Sequence, residues 1–387
     1  MQMQFSPKLL STALATLALL IVGAASTANA QTFNSLYSFS GSPDGANPYG
    51  DVTMDKTGTL YGTTRFGGSS NAGSIYKLSK GTETVLYSFT GGADGSEPFG
   101  GLVMDNSGNL YGTTPYGGSG DGTVFALSSS GTLTTLCTFT GTNGSQPFAG
   151  VLMDAKGNLY GSTQYGGTSN SGTVYKVNIK TKKETVLYSF AGGTDGAGPL
   201  YGELLADTAG NLYGTTVGGG AYGNGTVWEL STKRKETVLY SFCPVTGCAD
   251  GSGVFEQSLA MDTQGNLYGT TEEGGTAGKG TVFQLNPRTG KEKVLYSFTD
   301  SSDGGFPSSG LVRDSKGSLY GTTQVGGTGY GVVFKVKGTK ETVLHTFDGT
   351  DGANPFTSPL LDSVGTLYGV TTSGGTSGDG TVFSLKP

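Results

Sequence analysis

Tyr-Gly-Thr-Thr, or a near copy of it, starts seven times in this chain, at Tyr61, Tyr111, Tyr160, Tyr213, Tyr268, Tyr320 and Tyr368. The intervals between these tyrosines are 50, 49, 53, 55, 52 and 48 residues, a period that belongs to propeller blades and exceeds that of β-solenoid coils. Each repeat carries four short runs rich in β-branched and aromatic residues, separated by Gly, Asp, Asn or Ser. In the second full copy the runs are 101–104, 109–114, 123–127 and 133–139. Four strands repeated seven times predict an all-β, seven-bladed β-propeller of four-stranded antiparallel blades. No part of the chain beyond its first 30 residues shows helical periodicity.

The two ends of the chain predict how such a ring closes. Residues 34–39 match the run that ends a repeat, and the chain stops after the third run of its last repeat, 381–385. The spare N-terminal strand is therefore expected to complete the C-terminal blade, which would remove an exposed sheet edge.

Residues 1–30 stand apart in composition. One basic residue, Lys8, precedes an apolar run over 9–25, and Ala28-Asn29-Ala30 supplies small residues at signal-peptidase positions, so cleavage before Gln31 is expected. The alternative is an uncleaved anchor, since the run approaches spanning length, although Ser11, Thr12 and Thr16 interrupt it. Residues 31–387 then form a single domain with about 51 residues per blade.

Composition narrows the function classes. Charged residues make up 13% of the chain, with a net charge of −6 and no basic stripe, so nucleic acid and anionic lipid are not expected partners. No membrane span is expected after leader cleavage. Cys243 and Cys248 lie in Cys-Pro-Val-Thr-Gly-Cys; in an exported chain a disulfide is favoured there over a metal site, because two thiols alone hold zinc poorly. Cys137 stands where most copies have Tyr and reads as a small buried hydrophobe. A lone His345 speaks against Ser-His-Asp and Cys-His chemistry. Neither a cofactor nor a metal is expected, and the chain is expected to be a monomer.

Two acidic positions recur around the chain, one in every repeat and one in all copies but the third. Asp55, Asp105, Asp154, Asp207, Asp262, Asp314 and Asp362 each stand three residues before a Gly, which marks them as turn-formers. Asp44, Asp94, Asp195, Asp250, Asp303 and Asp351, with Asn143 in the third copy, also precede Gly and read as turn residues; a calcium reading would need several oxygens converging on one ion.

The unit Asp-x-x-Gly-Asn-Leu-Tyr-Gly-Thr-Thr-x-x-Gly-Gly, followed by Gly-Thr-Val-Phe and Leu-Tyr-Ser-Phe, resembles the Gloeo/Verruco (GloVer) tandem repeat of exported bacterial proteins, over all of residues 31–387. The resemblance implies a secreted, periplasmic or surface-associated propeller of undefined biochemical role, often with a C-terminal anchor. This chain ends inside the repeat without a sorting tail, so release is expected. The strand pattern is also similar to NHL-type blades, which implies that the Gly-Leu-Val-Met run is innermost.

With that strand innermost, the Asp-Gly-x-x-Pro loops and the Gly-Gly loops share one face, and departures from the repeat on that face are the candidate site. Four residues before the turn aspartate the copies read Asp51, Gly101, Gly150, Glu203, Ser258, Gly310 and Ser358, with carboxylates on opposite sides of the ring. After Tyr-Gly-Thr-Thr they read Arg65, Pro115, Gln164, Val217, Glu272, Gln324 and Thr372, and Glu272 is followed by Glu273. Phe66, Tyr116 and Tyr165 precede Gly-Gly in the first three copies. Aromatic faces beside amides and carboxylates suit sugars or peptide side chains, which places Arg65, Phe66, Tyr116, Gln164, Tyr165 and Gln324 as binding candidates. Asp51, Glu203, Glu272 and Glu273 are the catalytic candidates for a carbohydrate-active hydrolase or lyase. That reaction needs two carboxylates about 5 to 9.5 Å apart, and a seven-bladed ring threatens to hold Asp51 and Glu203 further apart than that. A binding scaffold for a polysaccharide or surface protein is the leading expectation, and a structural matrix protein is a third.

Overall fold

The structure is a computed structural model that describes residues 31–254 and 258–387; the expected leader lies outside the described residues. Seven four-stranded antiparallel sheets follow one another along the chain. The first is Thr53–Met54, Leu60–Thr64, Ser74–Ser79 and Thr82–Ser88, and the same order recurs through Leu360–Leu361, Leu367–Thr371 and Thr381–Lys386. The fold is a seven-bladed β-propeller. Among the described residues one 3-10 turn, Gly193–Asp195, interrupts the otherwise all-β fold.

The ring closes as the chain ends predict. Thr32–Ser38 is the outer strand of the seventh blade, antiparallel to Thr381–Lys386, with Asn34 opposite Ser384 and Ser38 opposite Thr381. The pairing begins two residues earlier than the repeat match.

The innermost strands are shorter than expected. Only two residues of each Gly-Leu-Val-Met run enter the ladder, as in Val103–Met104. The residues before them are occupied by the next blade instead: a side chain on Gly100 would stand 2.3 Å from the Gly150 backbone nitrogen, so the chains meet across the seam and cannot ladder there.

Blade-to-blade joints form the core. The Phe that ends each outer strand meets, edge to face, an aromatic ring on the third strand of the next blade: Phe39 with Tyr76, Phe89 with Phe125, Phe139 with Tyr175, Phe190 with Trp228, Phe242 with Phe283, Phe298 with Phe334 and Phe347 with Phe383, at centroid distances of 4.9 to 5.5 Å. All of these rings are fully buried. Such pairs contribute about 0.5–1.5 kcal/mol beyond their burial. The Gly of Tyr-Gly-Thr-Thr makes room for that ring; a Cβ on Gly62 would lie 2.5 Å from the Tyr76 hydroxyl.

Both recurring acids hold turns. Asp105 Oδ1 accepts the amides of Ser107 and Asn109, and its Oδ2 accepts the Tyr111 hydroxyl at 3.0 Å. These bonds hold the carboxyl below its ordinary range against the opposing effect of burial. Asp94 accepts the Thr90 amide at 2.8 Å and the Tyr87 hydroxyl at 3.0 Å. Cys243 and Cys248 are joined in a disulfide. Cys137 is buried, and burial followed by the charge of Glu184 pushes its thiol up to about 12. His345 Nε2 lies 2.7 Å from Asp351 Oδ2, and its ring stacks on Phe33 at 3.7 Å, a packing role.

Candidate functional site: the channel mouth and its loop face

The two loop sets meet on one face. In all seven blades a residue after the recurring Asp-Gly bridges to one beside Gly-Gly, among them Ala46 with Phe66, Ser96 with Tyr116 and Ser145 with Tyr165. This face surrounds the axis of the ring.

The column that varies four residues before the turn aspartate lines the axial channel. Asp51, Gly101, Glu203, Ser258 and Ser358 wall a cavity of about 30 Å³, room for one or two waters. The two carboxylates come together there, contrary to the separation expected of a seven-bladed ring. A Cβ placed on Gly101 would lie 2.8 Å from Glu203 Oε1 and 3.1 Å from Asp51 Cβ, so Glu203 reaches across the bore in the space that glycines leave. A Cβ on Gly150 would stand even closer, 2.2 Å from the same oxygen. Convergence of the innermost strands narrows the bore enough for one long side chain to span it.

Electrostatics at the axis follow from this crowding. Burial, then repulsion from Asp51, pushes the Glu203 carboxyl well above its ordinary range. Burial also raises Asp51, but the Ser358 amide donates to Asp51 Oδ1 at 2.8 Å and restrains the shift. Ser258 accepts the Glu203 backbone amide through its hydroxyl at 3.0 Å.

An aromatic lid covers the pair, and the sequence reading missed it. Tyr49, Phe99, Phe148, Tyr201 and Phe356 line the mouth. Their ring centroids lie 4.7 Å apart for Tyr49 and Phe99, 4.9 Å for Tyr49 and Phe356, 5.1 Å for Phe99 and Phe148, and 4.9 Å for Phe148 and Tyr201. The signal was present: an aromatic stands one or two places after Pro48, Pro98, Pro147, Pro199 and Pro355.

The predicted loop residues join this lid on one side. The Arg65 guanidinium lies 4.5 Å from the Phe66 centroid, 4.7 Å from Phe99 and 5.8 Å from Tyr49, and its Nε donates to Glu97 Oε2 at 3.0 Å. Tyr116 continues the strip through Phe148 at 6.0 Å, and Tyr165 projects outward at 42% exposure. Blades one to three thus present an aromatic strip carrying one compensated ion pair.

Other predicted residues lie apart from it. Gln164 is half-buried, with its backbone N–H donating to the Gln146 backbone carbonyl. The Gln324 backbone N–H likewise donates to the Phe306 carbonyl, and the Gln324 backbone carbonyl accepts from Asn354 Nδ2. Glu272 is half-buried on the fifth blade, its carboxyl raised by burial and then by Glu273, which is exposed. Glu272 and Glu273 are not among the residues around the axial pair. Among the described residues, no group of three or more His, Cys, Asp or Glu is placed to hold a metal ion. No helix among them is long and apolar enough to cross a membrane.

Fold and site together define a propeller whose variable residues gather at one mouth of its channel. The chain belongs to the Gloeobacter/Verrucomicrobia repeat family, whose model matches residues 25–204 and 199–387. Among solved structures it is similar to the extracellular domain assigned to a hybrid two component system of B. thetaiotaomicron, at 14% identity and a TM-score of 0.61, covering 92% of this chain and 39% of that one. A second structure of that extracellular domain, described as a one component system, matches at 13% identity and a TM-score of 0.61, covering 91% and 40%. The chain thus spans about 40% of those solved chains, and at this identity the likeness concerns the fold. No curated protein is significantly similar to it.

Proposed function

We propose that this protein is an exported, non-enzymatic binding scaffold whose loop face recognises a polysaccharide or a protein of a cell surface. The observation that carries this reading is the one-sided strip of Phe66, Arg65, Tyr116 and Tyr165, backed from beneath by the buried rings of Phe99 and Phe148. Apolar ring faces next to a neutralised ion pair offer stacking area and directional hydrogen bonds without net charge, which suits sugar rings or tyrosine-rich and amide-rich peptide surfaces. The leader-like composition of residues 1–30 supports export. The membership of a repeat family and the likeness to extracellular propellers agree with it.

Catalysis by the axial carboxylates has one point in its favour, the meeting of Asp51 and Glu203. Against it stands the size of their cavity, about 30 Å³ beneath a packed aromatic lid, which admits water and excludes a sugar ring. The test is binding of residues 31–387 to a broad glycan array and to cell-wall material, with a triple Arg65→Ala, Tyr116→Ala, Tyr165→Ala variant alongside. The expected result is a hit that the triple variant loses by 10-fold or more, about 1.4 kcal/mol. Silence of the wild type on both materials would sink the reading.

A further inference from the structure

A second pattern repeats around the ring, away from the mouth. Six residues before the Phe that ends each outer strand stand Phe33, Glu83, Leu133, Glu184, Glu236, Glu292 and Glu341. Each pairs across its sheet with a buried aliphatic residue of the third strand: Leu385, Leu78, Leu127, Val177, Leu230, Leu285 and Val336. Directly paired residues present their side chains to the same side of a sheet. This side is the apolar seam toward the preceding blade, where Leu133 packs in one cluster with Tyr87 and Phe33 stacks on His345.

The position is therefore an apolar cover over the Tyr–Asp or His–Asp hydrogen bond of the neighbouring blade. Leu and Phe fill it at two seams and glutamate at five. All five glutamates, Glu83, Glu184, Glu236, Glu292 and Glu341, have a buried Oε1 without a hydrogen-bond partner. A buried carboxylate oxygen left without a donor is costly. At two seams the facing aspartate is also short of a donor, since Asp195 Oδ1 and Asp250 Oδ1 are buried and unpartnered. One proton per seam would relieve the mismatch. At the third seam Asn143 replaces the aspartate, and its side-chain amide restrains the rise that burial imposes on the Glu184 carboxyl.

We infer that Glu83, Glu236, Glu292 and Glu341 carry protons in the closed ring, so that the four seams they cover tighten in mildly acidic surroundings and loosen together as the medium turns alkaline. The ionisable groups facing them are all acids or phenols: Asp44, Tyr37 and Tyr76 at Glu83, Asp195 and Tyr188 at Glu236, Asp250 and Tyr240 at Glu292, and Asp303 and Tyr296 at Glu341. Burial, then the facing aspartate, pushes each of the four glutamates up to about 7. An unfolded glutamate releases its proton near 4.3. Between these values the fold keeps protons that the unfolded chain has lost, so the stability that the seams contribute falls as pH rises through the window and levels off above about 7. The carboxyls held low, such as Asp94 and Asp105, act in the opposite sense and below this window.

The experiment is thermal unfolding of residues 31–387 from pH 4.5 to 8.5, wild type against a Glu83→Gln, Glu236→Gln, Glu292→Gln, Glu341→Gln variant. Glutamine supplies the missing N–H donor at every pH. The wild-type Tm is expected to drop by roughly 5 °C or more from pH 5 to pH 8, and the variant to lose most of that slope and exceed wild type at pH 8. Parallel curves would overturn the inference. So would added Ca²⁺ restoring the pH 5 stability at pH 8, because the seams would then be cation sites. Infrared titration of a Glu203→Gln protein, which lacks the raised axial carboxyl, decides the matter even if the quadruple variant does not fold: a protonated-carboxyl band persisting to pH 6 is expected, and its absence there would overturn the inference.

Discussion

The joints between blades and the axis of the ring use opposite strategies. At the joints one solution is repeated seven times, a Phe against a second aromatic ring and a Gly beneath it, with only Tyr76, Tyr175 and Trp228 departing from Phe in the second ring. At the axis the equivalent position differs from blade to blade, as Asp51, Gly101, Gly150, Glu203, Ser258, Gly310 and Ser358. The joints maximise dry packing; the axis brings two carboxylates into each other's field and pushes Glu203 above its ordinary range. In a repeat protein each blade is stabilised by its own sheet and its two neighbours. A chain with seven good joints can tolerate an unfavourable centre, and that tolerance is what allows the axis to vary.

Breaking a joint should have the largest effect. Phe190→Ala removes a fully buried ring packed at 5.5 Å from Trp228 and leaves a cavity that rigid neighbouring sheets cannot collapse into. A loss of about 3–5 kcal/mol is expected, read by denaturant unfolding. Phe356→Ala at the half-buried lid should cost clearly less. Equal losses at the two positions would erase the distinction between joint and axis.

Relieving the axis should have a smaller effect of opposite sign. Glu203→Gln removes the charge that Asp51 opposes while keeping the side-chain length that spans the bore. A carboxyl raised by folding holds its proton after the unfolded chain has released it, so wild-type stability is undiminished in acid and erodes as pH climbs from the ordinary carboxylate range toward the raised value. The variant is expected to match wild type near pH 4 and surpass it at pH 8. A variant less stable than wild type at pH 8 would mean that the Glu203 charge is satisfied by something the acid pair does not explain.

The difference between joint and axis also decides what the sequence could reveal. Period, strand count and ring closure were legible because seven copies speak for the same geometry, and residues 34–39 could be matched to 84–89 by eye. The turn aspartates were legible for the same reason. Their bond to the tyrosine of Leu-Tyr-Gly, as in Asp105 with Tyr111, was not, because it depends on which strand faces the turn. The meeting of Asp51 and Glu203 was hidden for a geometric reason: the repeat places them on opposite blades, and only the narrowing of the bore lets one long side chain cross it. The lid of Tyr49, Phe99, Phe148, Tyr201 and Phe356 was hidden because an aromatic after Pro reads locally as a loop residue; convergence of five loops makes it a cluster. The seam glutamates were hidden in strands that alternate Glu, Thr and Val as any half-solvated strand would.

The smallest stability effect is expected where the proposed function concentrates. Arg65 is about one-third exposed, and its pair with Glu97 at 3.0 Å is screened by solvent. Its guanidinium keeps contact with solvent over the half-buried Phe66 and caps the buried Phe99, so Arg65→Ala should cost about 1 kcal/mol. The same substitution strips the positive end from the strip and leaves the Glu97 carboxylate beside Tyr116 uncompensated. Binding to whatever the glycan or cell-wall screen identifies should therefore fall while Tm stays nearly constant. A drop in Tm of the size caused by Phe190→Ala would place Arg65 among the joints, as a structural clamp between blades one and two, and would remove the strip from the list of surfaces free to meet a partner.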